Sequence, residues 1–153
     1  MNWTPSKLKW VLRLFFGPYV GAAIKVETIS ADWKYTKVCM NKRFYNNNAF
    51  GTHFGGSLFA MTDPHYVLML TNILGRKYLV WDQSANIDFI KPAKGKVTAE
   101  FTISDELLSE IKKNTNHGQK YLPEFDVDII DEQGVIVAKV HKTLYIRHKK
   151  QNL

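Results

Sequence analysis

The sequence predicts an α+β fold, a long antiparallel sheet around one buried helix, and three observations carry that reading. The second half of the chain alternates apolar and polar residues with a period of two, as half-buried strands do. One stretch, Gly56 to Leu74, is apolar on nearly every side, as a helix enclosed by other elements must be. With 153 residues, 45% of them hydrophobic and 13% aromatic, the chain is long enough for one domain with a substantial core.

The elements follow in order. Thr4 before Pro5 reads as a helix start, with the apolar and basic run from Pro5 to Phe16 as an N-terminal helix ended by Gly17-Pro18. Packing against its own protein or a partner subunit suits this helix better than a signal peptide or a membrane-surface segment, because Arg13 interrupts the apolar run and no small-residue cleavage pattern follows. Ala22 to Ala31 and Tyr35 to Phe44 read as strands, the second with Val38, Met40 and Phe44 on one face, and Asn46-Asn47-Asn48 as a turn. The central helix runs from Gly56 to Leu74. Pro64 removes one of its ladder hydrogen bonds, so a kink or restart is expected there with Asp63 as N-cap.

In the third strand Trp81, Ala85, Ile87 and Phe89 are expected on one face, with Asp82, Ser84, Asn86 and Asp88 on the other. Val97, Ala99, Phe101 and Ile103 mark the fourth, Asp105 to Lys113 a short capped helix, and Asn114 to Gly118 a polar loop. Phe125, Val127 and Ile129 mark the fifth strand. After a turn at Asp131 to Gly134, Ile136, Ala138, Val140, Leu144 and Ile146 face inward from the last. The domain boundaries expected are 1–17 for the N-terminal helix and 20–147 for the core.

Net charge is +7, and it is uneven: residues 1 to 50 hold eight Lys or Arg against Glu27 and Asp32. Such a balance favours anionic partners. The single Cys39 excludes an intramolecular disulfide and a cysteine zinc cluster, in keeping with a cytoplasmic location. No stretch approaches the roughly 20 apolar residues of a bilayer-spanning helix. His65, His117, His141 and His148 lack metal-ligand spacing, so no metal site is assigned.

The densest functional signal is Gly51 to Pro64. Gly55-Gly56 opens the central helix, where backbone N–H groups can approach a substrate closely and meet negative charge. Asp63 is the only acid between Asp32 and Asp82, and a carboxylate in so apolar a stretch needs a reason. Each residue also has a purely structural reading. Asp63 could cap the restarted helix, His53 could satisfy backbone groups near the glycine turn, and the glycines could serve packing. Ser57 and Thr62 have no evident activating base.

Asn48, Gly51, His53, Gly55, Gly56 and Asp63, followed by Asp88-Phe89-Ile90-Lys91-Pro92-Ala93 and Gly95, give the chain from Val20 to Arg147 its resemblance to the hot-dog fold acyl-CoA thioesterases. Within them it is most similar to the PaaI-like branch. In that family the histidine usually abuts the glycine pair, whereas Phe54 intervenes here. The resemblance implies the hot-dog fold and a homodimer, often paired into a homotetramer. It implies hydrolysis of acyl-CoA or acyl carrier protein thioesters without metal or redox cofactor, coenzyme A entering as part of the substrate. Dehydration ranks lower, since the acid of hot-dog dehydratases lies further along the chain than Asp63 does from His53.

In that chemistry Gly55 and Gly56 donate to the oxyanion, Asp63 acts as general base or nucleophile, and Asn48 or Asn47 positions water or thioester. His53 stands beside them as a candidate, and Lys91, Lys94 and Lys96 could meet coenzyme A phosphates. Seven residues of unbroken helix would put Asp63 about 10 Å along the axis from Gly56, too far for one carbonyl to touch both. A second subunit is therefore expected to complete the site. The competing readings are a non-catalytic acyl-CoA binder on the same scaffold and, last, a nucleic-acid reader, for which no recognition motif is present.

Overall fold

In the computed structural model, which describes residues 3–149, five helices and seven strands follow one another. Helices α1 (Pro5–Leu14) and α2 (Gly17–Ala22) precede strands β1 (Ile24–Ile29) and β2 (Tyr35–Met40). Helices α3 (Gly55–Ala60) and α4 (His65–Leu74) lead to β3 (Tyr78–Phe89) and β4 (Val97–Thr102). Then come α5 (Asp105–Asn114), a 3-10 turn at Asn116–Gly118, β5 (Lys120–Tyr121), β6 (Glu124–Asp131) and β7 (Ile136–His148). Six strands form an antiparallel sheet in the order β1-β2-β4-β6-β7-β3, with the short β5 pairing on the β6 side of β7, opposite β3.

The expected α+β layout is the observed one. Thr4 caps α1 by accepting from the Lys7 N–H, with Pro5 in the first turn. Ser104 does the same for α5 at Leu107. Three expectations are corrected. Gly17-Pro18 does not simply end a helix but starts α2, because proline suits a first turn. β2 stops at Met40, so Phe44 is in a turn and almost fully exposed rather than beside Val38 and Met40. Asp63 does not cap α4: the cap position is Pro64, and no side chain serves it.

The central helix breaks where Pro64 requires it, into α3 and α4. Leu58, Met61, Tyr66, Met69 and Leu70 from this pair are buried in one cluster with the inward residues of the sheet. Tyr66 packs against Phe101 of β4 and Phe125 of β6, with centroids 5.3 and 4.2 Å away. A break inside a buried helix frees carbonyls that water cannot reach. Two side chains meet them: the Tyr19 hydroxyl is shared between His65 Nε2 at 2.6 Å and the Met61 carbonyl at 3.3 Å, and the Lys142 ammonium donates to the Asp63 carbonyl.

β3 departs most from the sequence reading. Its register on β7 shifts between Asp82 and Ser84, leaving Gln83 as the extra residue of a β-bulge. Beyond the bulge, Ala85, Ile87 and Phe89 stand opposite Lys142, Val140 and Ala138, on the inward side as expected. Before it, Val80 and Asp82 stand opposite the buried Ile146 and Leu144, and Trp81 turns to the outer face, stacked on Tyr145 at 4.5 Å. One unpaired residue thus moves Asp82 to the core side.

Replacing Tyr19 by Phe removes the hydroxyl that meets the helix break. The expected loss is about 1–3 kcal/mol in urea unfolding; a loss indistinguishable from zero would show that the break needs no such partner.

Candidate functional site

The residues singled out from the sequence fall into three places around the broken helix. On one side of α3 a cleft of about 420 Å³ is lined by Asn48, His53, Gly55 and the Phe89–Ala93 turn, including Lys91. On the other, a cleft of about 540 Å³ is lined by Asn47, Phe54, Gly56, Ser57 and the small residues of α2. Asp63 lines neither. It follows α3 in the connecting segment, so the single-helix spacing expected from Gly56 does not apply.

The glycine N–H groups are open. Gly55 and Gly56 occupy the first turn of α3, and among the described residues neither N–H meets an acceptor. Their missing side chains leave room for aromatic rings: a Cβ at Gly55 would come within 2.8 Å of Phe89, and one at Gly56 would overlap the Phe54 ring. The inserted Phe54 therefore covers Gly56, and Phe89 covers Gly55.

Asn48 is committed elsewhere. Its Oδ1 accepts from the Phe50 and Thr52 N–H groups and its Nδ2 donates to the Thr52 hydroxyl, so its side chain knits its own loop. Asn47 differs, because its buried Oδ1 has no partner among the described residues and it shares the cleft of Gly56. His53 is buried and donates from Nε2 to the Gly95 carbonyl at 2.7 Å, fastening its loop to the turn before β4. Burial, aided by the nearby Lys42 charge, lowers its pKa, and Nδ1 is left as a buried acceptor without a partner among the described residues.

The three lysines do not converge. Lys91 pairs with Asp131 at 2.8 Å, and Lys96 pairs with Glu27 of β1 at 2.5 Å. Lys94 makes no ion pair among the described residues.

What the sequence reading missed is a charge cluster around Asp63. Lys142 of β7 has a fully buried side chain, 0% exposed, and its ammonium lies 2.8 Å from Asp82 Oδ1 and 3.8 Å from Asp63 Oδ1. The contact with Asp82 has ion-pair distance but not hydrogen-bond angles, so the buried Oδ1 lacks a true hydrogen bond. Burial raises the Asp82 pKa and the Asp63 charge adds to it, against the pull of Lys142. Asp63 keeps its carboxylate 56% exposed, at the edge of the sheet where β3 lies. The signal was present in the last strand, where Lys142 occupies an inward position between Val140 and Leu144.

Beneath the cluster, His65 is pushed down to about 3 by complete burial and then by the Lys142 charge. It is neutral at pH 7, which lets Nε2 accept from Tyr19. The same burial, with the Asp63 charge, raises the Tyr19 pKa well above its ordinary value.

The family model described as a domain of unknown function, DUF4442, matches residues 6–146. The chain belongs to the DUF4442 family. Its fold is the hot-dog fold of several solved thioesterase-like structures. A Pseudomonas aeruginosa protein of unknown function, described as a probable thioesterase, superposes with a TM-score of 0.84 at 18% identity, over 95% of this chain and 97% of that one. A thioesterase from Haemophilus influenzae gives 0.70 at 16% identity, over 100% and 97%. The PaaI protein of the E. coli phenylacetic acid degradation operon gives 0.59 at 17%, over 86% and 83%. At these identities the likeness establishes the fold alone. None of the curated protein sequences matches the chain. Among the described residues of this DUF4442 chain, no helix is long and apolar enough to cross a membrane, and no group of three His, Cys, Asp or Glu could hold a metal ion.

Two outcomes test the cluster. Lys142→Met strands the Asp82 carboxylate and the Asp63 carbonyl, at an expected cost of about 2–3 kcal/mol, below the full buried-pair range because Asp82 keeps some solvent. Adding Asp82→Asn should recover about 1 kcal/mol of it in denaturant unfolding; no recovery would mean that the two side chains are not coupled. For His65, the folded pKa of about 3 lies below the ordinary 6.5, so the folded state binds fewer protons. Its contribution is complete above pH 6.5 and is lost as pH falls towards 3. Between pH 6.5 and 5, unfolding free energy should fall with a slope of up to ~1.4 kcal/mol per pH unit that His65→Gln removes.

Proposed function

We propose that this chain hydrolyses acyl thioesters of coenzyme A or acyl carrier protein, as a homodimer whose sites each draw on both subunits. The observation that carries the reading is the pairing of two unused features. Two adjacent backbone N–H groups at Gly55 and Gly56 lack acceptors beside open clefts, and an exposed Asp63 carboxylate is held in place by a buried lysine. Thioester hydrolysis needs both: donors for the oxyanion forming on the carbonyl, and a carboxylate to activate water or attack directly.

Within one protomer the two features stand at opposite ends of α3. β3 supplies the means of joining them, because one of its edges is unpaired and it carries exposed Trp81 and Phe89. Pairing of that edge with the same edge of a second copy is isologous and closed, and it sets Asp63 and Asp82 at the junction. There the Asp63 carboxylate faces a thioester whose carbonyl oxygen rests on the partner's glycine N–H groups. Lys142 keeps Asp63 oriented, and Asn47, with its free Oδ1, is better placed than Asn48 to accept from a water or a pantetheine amide. No metal or redox group enters this scheme, and coenzyme A takes part only as the leaving thiol. The thiolate departs as the acyl group passes to water, and the proton taken by Asp63 returns to the thiol. The hot-dog neighbours described as thioesterases support this reading at the level of the fold.

Thiol release from a panel of acyl-CoA and acyl carrier protein thioesters tests it. Asp63→Asn should lower the rate at least about 100-fold while the fold is retained. Gly56→Val, which blocks the donors and collides with Phe54, should also be inactive, and equimolar mixing with Asp63→Ala chains should restore about a quarter of the wild-type sites. Equal rates for wild type and Asp63→Asn would remove that carboxylate from the mechanism. Ligand binding without turnover would assign the chain to the non-catalytic acyl binders instead.

A further inference from the structure

Much of the basic excess of the first third of the chain is gathered around two adjoining clefts. α1 buries Leu8 and Leu12 against the sheet, and the stripe made by Lys7, Trp10, Arg13 and Leu14 on its other side is exposed. Phe15 follows at 80% exposed. Two adjoining clefts, of about 490 and 380 Å³, share Arg13 and Lys25. The first is also lined by Lys9, Trp10 and Glu27, the second by Val20, Arg43, Phe44 and Tyr45, with Phe44 93% exposed. Among the described residues Lys7, Lys9, Arg13, Lys25, Lys42 and Arg43 make no ion pair, and the acid of the first cleft, Glu27, is already held by Lys96. The Arg13 guanidinium lies 5.9 Å over the Trp10 ring.

We infer that this face docks on an anionic lipid bilayer. Exposed apolar side chains interleaved with unpaired cations are what an interfacial surface requires: Trp10, Leu14, Phe15 and Phe44 to enter the headgroup layer, and Arg13, Lys25 and Arg43 to meet its phosphates. Charge decides against a second copy as the occupant, because an isologous contact would set these cations against their own counterparts. It does not decide against a nucleic acid, but the exposed Leu14 and Val20 beside the aromatics are aliphatic and suit an acyl layer rather than stacked bases. The inference is independent of the proposed hydrolysis. A bilayer would be met from one side by a chain that lies on it.

Flotation of the full chain with vesicles separates the outcomes. Binding is expected to vesicles of phosphatidylcholine containing about 30% phosphatidylserine and not to phosphatidylcholine alone, with release at about 0.5 M salt. Arg13→Glu/Arg43→Glu should weaken partitioning at least about 25-fold, at about fivefold for each cation removed. Phe15→Ser/Phe44→Ser should weaken it at low salt, where the cations still bind, with an unchanged circular dichroism spectrum. Equal binding to both vesicle types, or wild-type binding by both double variants, would overturn the inference. So would tighter binding to a single-stranded oligonucleotide than to anionic vesicles, or a dimer that dissociates in Phe15→Ser/Phe44→Ser.

Discussion

A lysine with no access to solvent is the constraint on which the rest of this molecule turns. Lys142 enters the core on the inward face of β7, in a row of aliphatic residues, and its ammonium must find partners or be neutralised. It finds a carboxylate on β3 and a main-chain carbonyl at the helix break. Each of those partners is an irregularity in its own element. The bulge at Gln83 turns Asp82 inward, and Pro64 opens the helix so that the Asp63 carbonyl is available. The break, the bulge and the buried cation thus form one arrangement, in which each answers a polar group that another leaves unmet.

That arrangement also explains why the candidate site is divided. A continuous helix would have aligned Gly56 and Asp63 on one rigid rod. The break frees the second half to pack through Tyr66 against β4 and β6, while the first half keeps its glycines beside two clefts. His65 and Tyr19 fill the space under the break with a neutral hydrogen bond, which avoids placing a second cation beside Lys142. The polar core is costly, and its return is a carboxylate at the sheet edge whose main chain cannot drift.

Much of the fold was legible because it rests on local periodicity. The alternation from Val97 to Ile103 and from Phe125 to Ile129, the Thr4 and Ser104 caps, and the interruption at Pro64 are each written in a few adjacent residues. The helix formed at Gly17-Pro18 and the early end of β2 were less so, since they depend on where neighbouring elements let the chain turn. In the candidate site, the glycine pair and Asp63 stood out by composition. The cluster that holds Asp63 did not, because Lys142 and Asp82 are 60 positions apart in the chain and meet only through pairing of β3 with β7. Alternation, applied without the bulge, placed Asp82 on the wrong face. Asn48 looked available from its residue type, yet its loop consumes every hydrogen bond it offers.

The bulge at Gln83 has a bearing on how chains of this kind vary. In β3 a residue's exposure is settled by its count from the bulge, so the same string of residues can present either of two surfaces. Were Gln83 drawn into the ladder, composition and charge would be untouched, yet Asp82 would turn to the outer face and strand Lys142, whereas loss of Gln83 would straighten the strand with Asp82 still opposite Leu144. The bulge, more than residue type, therefore fixes which face Asp82 takes, and a related chain without it would align correctly here only with a one-residue gap at Gln83.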